Sequence, residues 1–212
     1  MKKIPVLIGV LMIFSISYAQ DYKWELGVVG GINQRVFVDW DGHPFKVGFT
    51  TGISAQRNIK KHFSLNTNLI FQQEKSHRSV NGGCCGSLPE RDYDMTNYDQ
   101  FLILPVMARW SFGKRFKVLL DAGIQTEYFF RSKVFVDYAE HEPEEDHSYV
   151  GLSSREIDFA FLIGGGCSYS ISDKLKVSLE SRLAGAYWSD IRHLDDYKLQ
   201  VLAGVSYSLK QK

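Results

Sequence analysis

The sequence predicts an all-β fold, an eight-stranded antiparallel up-and-down transmembrane β-barrel with short periplasmic turns and long external loops. Three observations predict it. Stretches of strict apolar/polar alternation recur along the chain and none longer than a turn or two has helical periodicity. The connections between them alternate between tight and long. Across these stretches the polar face is mostly Gly, Ser, Asn, Gln and Ala rather than the Lys, Glu and Arg that would dominate a water-facing wall. With 212 residues, 14% aromatic content and 18 glycines, the composition suits one β domain with many tight strands.

Residues 1–19 read as a cleaved signal peptide, and residues 20–212 as the barrel domain. Lys2 and Lys3 precede an apolar run from Ile4 to Ile16, and Ser17-Tyr18-Ala19 places small residues where a signal peptidase cuts. That run is shorter than the ~20 residues a spanning helix needs, and polar Gln20 and Asp21 follow it. Without Lys2 and Lys3 the chain carries 23 basic and 24 acidic residues, so no basic excess invites nucleic acid. Further membrane contact then falls to strands, and outer-membrane lipid is the expected surrounding.

The strands are expected at 24–33, 45–57, 62–74, 98–112, 116–130, 156–170, 175–188 and 197–209. In 63–73, Phe63, Leu65, Thr67, Leu69 and Phe71 oppose Ser64, Asn66, Asn68, Ile70 and Gln72. In 116–128, Phe116, Val118, Leu120, Ala122, Ile124, Thr126 and Tyr128 oppose Lys117, Leu119, Asp121, Gly123, Gln125 and Glu127. In 159–171, Phe159, Phe161, Ile163, Gly165, Cys167, Tyr169 and Ile171 oppose Ala160, Leu162, Gly164, Gly166, Ser168 and Ser170. The last strand sets Tyr197, Leu199, Val201, Ala203, Val205, Tyr207 and Leu209 against Lys198, Gln200, Leu202, Gly204, Ser206 and Ser208.

Residues 58–61, 113–115 and 171–174 are tight turns, whereas 34–44, 75–97, 131–155 and 189–196 are longer, polar and rich in Asp, Glu, His and Gly. If the chain enters from below, all turns share one rim and all long loops the other, as in outer-membrane barrels. A lipocalin-like soluble barrel also alternates. The small polar face decides against it, because eight strands leave a lumen only wide enough for side chains to fill. The bulky face therefore points to lipid. Tyr197 and Tyr207 share that face ten residues apart, and a tilted strand separates them by roughly 25 Å, the height between two aromatic girdles. Trp110, Phe112 and Phe116 belong to the turn-side girdle; Tyr128, Tyr187 and Tyr197 belong to the loop side.

The opening strand "WELGVVGGIN" (24–33), the strand "FLILPVMARWSFG" (101–113) with its mid-strand proline and its aromatic-Gly end, and "LAGVSYSL" (202–209) together carry a likeness. Along nearly all of its mature length the chain resembles the small outer-membrane β-barrel domain family, labelled porin-like or PorT-like. The resemblance implies an architecture rather than a function. Many such barrels end on an aromatic residue; here Lys210-Gln211-Lys212 follow Leu209, and Tyr207 is the expected substitute.

The inward face collects Arg109, Asp121, Glu127, Glu180 and Arg182, with Glu25, Lys46 and Asp158 on the same parity. Buried charge must be paired, so Arg109 and Arg182 are expected to form a lumenal network with Asp121 and Glu180. No Ser/His/Asp or Cys/His group converges at recognisable spacing, so no catalytic residue, enzyme activity or cofactor is expected. In 139–147, Glu140, His141, Glu142, Asp146 and His147 are compatible with a cation site, although their spacing matches no established metal motif and a solvated acidic loop is the simpler reading. Cys84 and Cys85 are adjacent between glycines 82, 83 and 86. They could form a strained vicinal disulfide, or pair with another molecule or a bound group.

The leading functional expectation is a structural or interaction protein with no open pore, whose surface loops meet a surface or periplasmic protein partner. The alternative is a barrel that binds or transports a small or lipidic ligand. The lumen discriminates between them: close pairing of its charges leaves no site, whereas a gap lined by Leu119, Phe129 and Leu162 would hold a ligand.

Overall fold

Alternation of side chains along a strand lets one sheet satisfy two solvents, and the wall of this protein is built on that alternation. The computed structural model describes residues 24–37, 46–80, 93–138, 157–185 and 196–209. They form β1 (Trp24–Phe37), β2 (Lys46–Lys60), β3 (Phe63–Val80), β4 (Tyr93–Gly113), β5 (Phe116–Tyr138), β6 (Ile157–Ser170), β7 (Leu175–Gly185) and β8 (Asp196–Leu209). Each strand pairs antiparallel with its chain neighbour, and β1 pairs with β8 from Trp24↔Leu209 to Phe37↔Asp196, which closes the barrel. Closure leaves no strand edge in lipid.

The same residue type has opposite fates on the two faces. Ile32, Ile53 and Ile163 point outward and are 62%, 60% and 61% exposed, whereas Ile70 and Ile103 point inward and are fully buried. A continuous apolar exterior of this kind requires lipid around it. Aromatics border the belt on the turn side, where Phe63 and Trp110 rings lie 5.5 Å apart, and on the loop side, where Phe71 lies 6.1 Å from both Phe49 and Phe130. Tyr187 of the expected girdle lies outside the described residues.

Local chemistry sets the turns. β4 ends on Gly113, whose φ of 118° a side chain would strain. Between β6 and β7 the Ser172 hydroxyl accepts from the backbone N–H of Lys174 and Leu175, at 3.3 and 3.1 Å. Pro105 sits inside β4 without an N–H to give. Pairing with β3 steps from Thr67↔Val106 to Ile70↔Ile103 around it, and the Thr67 hydroxyl donates to the Pro105 carbonyl at 2.9 Å.

Several strand ends correct the sequence expectation, the first in β1, where residues 34–37, expected in a loop, stay paired as far as Phe37↔Asp196. Residues 75–80, 93–97 and 131–138, expected in loops, continue β3, β4 and β5, with pairs running out to Val80↔Tyr93 and Tyr93↔Tyr138. Apolar alternation fades in these segments, but backbone pairing does not depend on it, and Tyr98 and Phe135 still meet edge-on at 5.7 Å. A bulge opposite Gln100 rephases β5 between Phe129 and Arg131. β2 also runs on to Lys60, and residues 186–188 of the expected seventh strand lie outside the described residues.

Candidate functional site: a layered lumen and two mouths

Inward positions of the strands stack charged and apolar side chains in alternating levels. On the turn side of the lumen, Arg109 of β4 forks onto its β5 partner Asp121, with Nε and Nη2 each donating at 2.7 Å, and Nη2 also donates to Glu180 of β7 at 2.7 Å. Arg182 donates to the same Glu180 oxygen at 2.7 Å. With its amide oxygen turned towards Arg182, Asn68 accepts from both terminal guanidinium nitrogens, at 2.7 and 2.8 Å. Glycine makes the room: a Cβ on Gly164 would stand 3.2 Å from Arg182 Cγ. Two guanidinium groups thus meet two carboxylates, all buried, so the cluster is neutral.

Above it lies an apolar level. Val29, Ile70, Phe101, Ile103 and Leu202 form one buried cluster against which Phe129 packs; Met107, Ala160, Leu162 and Ala184 form another. Leu119 and Leu162, of the gap considered from sequence, are 3% and 1% exposed. A lumen cavity beside Arg109 and Glu180 measures about 30 Å³. That is about the share of one water molecule.

On the loop side of the apolar level is a second ion cluster. The Lys198 ammonium donates to Glu127 and lies 3.4 Å from Glu74, while Arg35 lies 3.5 Å from Glu74 and 3.9 Å from Glu127. Gln72 donates to Glu74 at 2.6 Å and Gln125 to Glu127 at 2.7 Å. Lys198 and Arg35 also stand over the Phe101 ring, at 4.3 and 5.5 Å from its centroid. Higher still, Lys46 donates to Asp99 at 2.8 Å and the Ser132 hydroxyl donates to the same carboxylate at 2.8 Å. The sequence reading placed Glu127 and Lys46 inside but did not single out Lys198, Glu74 or Arg35. Their signal was a charge at an inward parity otherwise occupied by small groups.

The mouths differ. At the turn side, a vestibule of about 1030 Å³ opens between the β2–β3, β4–β5 and β6–β7 turns. At its floor Lys176 and Asn58 both donate to Glu25, the latter at 2.8 Å. At the loop side, the outer wall of β3, β4 and β5 carries a groove of about 390 Å³ lined by Gln73, Lys75, Thr96, Tyr98, Gln100, Lys133 and Phe135. Lys75 stands 5.7 Å from the Tyr98 ring centroid.

Cys84, Cys85 and the stretch bearing Glu140, His141, Glu142, Asp146 and His147 lie outside the described residues. Among the described residues, no group of three or more His, Cys, Asp or Glu is placed to hold a metal ion. Cys167 is a free thiol on the outward parity of β6, paired with Val118 of β5.

Among solved structures, the chain is similar to Neisserial surface protein A, with 14% identity over 91% of this chain and 100% of that one, at a TM-score of 0.47. It is also similar to the outer membrane protein OprG of Pseudomonas aeruginosa (10% identity, 88% and 96% covered, TM-score 0.45). A third is the attachment invasion locus protein Ail of Yersinia pestis in complex with the heparin analogue sucrose octasulfate (8% identity, 90% and 100% covered, TM-score 0.44). No curated protein matches the chain. The family model for the outer membrane protein β-barrel domain matches residues 18–184, which takes in β1 to β6 and nearly all of β7. Eight antiparallel strands in a closed ring with an apolar exterior carry the same message, and the chain belongs to the outer membrane protein β-barrel domain family, a protein of the cell outer membrane.

Proposed function

We propose that this protein is a closed, non-enzymatic barrel that anchors a binding surface at its loop end and conducts no ions through its lumen. The observation that carries the reading is the order of levels inside the wall: an apolar layer around Ile70, Ile103 and Leu202 separates two clusters of ion pairs. An ion crossing that layer would lose its hydration without a fixed charge to replace it. The binding surface is the long sheet of β3, β4 and β5 with the loops that continue it. Its groove offers Tyr98 and Phe135 as stacking faces, Lys75 and Lys133 as cations and Gln73 and Gln100 as amide partners, a set suited to a polar, anionic or glycan-bearing surface molecule. Residues 1–19 act as the export signal in this reading, and the mature chain begins at Gln20.

Two measurements test it. In planar bilayers the refolded protein is expected to give no steady single-channel steps, and reproducible ohmic conductance would sink the sealed-lumen reading. Surface protease treatment of intact cells, followed by affinity capture with Tyr98→Ala/Phe135→Ala as comparison, is expected to lose a surface ligand in the variant. Equal capture by both proteins would remove the groove from the proposal.

A further inference from the structure

Among the described residues, cations outnumber carboxylates at the turn-side mouth of the lumen. The vestibule is lined, among the described residues, by Lys60, Lys61, Lys114, Arg115, Lys117 and Lys176, against the carboxylates of Glu25 and Asp173. The cations come from different parts of the rim: the β2–β3 turn, the β4–β5 turn, the first residues of β5 and those of β7. They therefore face one volume from several sides, and a recess lined by one sign of charge concentrates the field within it.

Lys117 distinguishes this cup from an ordinary solvated rim. It is on the inward parity of β5 and half-buried, and it lies within electrostatic reach of Lys176 and Glu25. Glu25 is already engaged by Lys176 and Asn58. Among the described residues no carboxylate pairs with Lys117, so a like-charged neighbour and a neutralised acid are its company. At about 1030 Å³ the recess exceeds what small-molecule sites need, ~300 Å³. A single carboxylate ligand would offset little of the cationic excess, whereas a phosphate ester brings two charges and several acceptor oxygens.

We propose that the periplasmic vestibule is a binding site for a di- or polyanionic phosphate group, held by Lys117 at its floor and by Lys114, Arg115, Lys60 and Lys61 at its rim. The chemistry is shared by a phospholipid headgroup of the adjoining leaflet and by a soluble phosphate ester. This proposal is independent of what the loop end binds.

The test uses the mature full-length chain, refolded in an uncharged or amine-oxide detergent and confirmed as a heat-modifiable barrel. Inorganic pyrophosphate and short-chain phosphatidic acid are titrated calorimetrically, with short-chain phosphatidylcholine as the control of no net charge. Saturable one-site binding of at least one anionic probe is expected, weakened roughly fivefold or more by Lys117→Gln, as loss of one close charge implies, and unchanged by Lys133→Gln at the other mouth. Pyrophosphate binding supports the soluble source, and phosphatidic acid binding alone supports the lipid headgroup. Failure of both probes to saturate, or equal binding by Lys117→Gln, overturns the site. If Lys117→Gln does not fold, Lys114→Gln on the exposed turn replaces it under the same two outcomes.

Discussion

Lys198 shows what a buried charge demands. Its side chain is completely inaccessible, between Glu127 and Glu74 and over the Phe101 ring. Replacing it with methionine keeps the length but takes the ammonium away from Glu74 and Glu127. Breaking a buried pair from one side costs about 3–5 kcal/mol. Lys198→Met is therefore expected to destabilise the barrel by that amount, and Lys198→Met/Glu127→Gln by clearly less, because the second change removes the stranded charge. Urea unfolding in lipid vesicles, followed by the shift between folded and unfolded gel bands, measures both; a double variant as unstable as the single one would mean that packing, not charge, dominates. Parity alone placed Arg109, Asp121, Glu180 and Arg182 on the lumen face, where the structure joins them. It could not show that Lys198 meets Glu127, since these residues are 71 apart in sequence and three strands apart around the ring. Partners across a lumen leave no periodic signature.

At the scale of elements, the wall was legible where lipid enforces alternation and illegible where water meets both faces. The turns at 113–115 and 171–174 and the centres of all eight strands lie where alternation put them, while β2 takes in most of the expected turn 58–61 and the ends of β1, β3, β4 and β5 extend through polar sequence. The β5 bulge hides for another reason. Strict alternation carried past Phe129 would send Arg131 into the lumen; the extra residue instead leaves Phe130 against Phe71 outside and turns Ser132 in towards Asp99. The segment 139–147 lies between the end of β5 and the start of β6. Replacing it with a short Gly/Ser link is expected to preserve a heat-modifiable, membrane-inserted barrel, since loop closure changes by only about 0.6 kcal/mol per doubling of length. If the trimmed chain fails to fold where the full chain folds, the acidic stretch is part of the barrel's structure.

For the molecule as a whole, closure is the organising fact. β8 bonds to β1 along fourteen residue pairs, Trp24↔Leu209 to Phe37↔Asp196, so its loss would open two edges at once. Unpaired backbone groups in lipid cost several kcal/mol each. A chain truncated after Asp196 is expected to give no folded gel band in any detergent that folds the full chain; a stable truncated barrel would mean that β1 and β7 can close on each other. The ion pairs add something that the sheet cannot. A thin-walled tube under lateral pressure fails by flattening, and resistance to flattening comes from struts across its diameter rather than from its circumference. Arg35 on β1 reaches Glu127 on β5, half the ring away, and Arg109 on β4 reaches Glu180 on β7. These spokes hold the cross-section round against the squeeze of the surrounding acyl chains, so the shape of this tube is fixed from within.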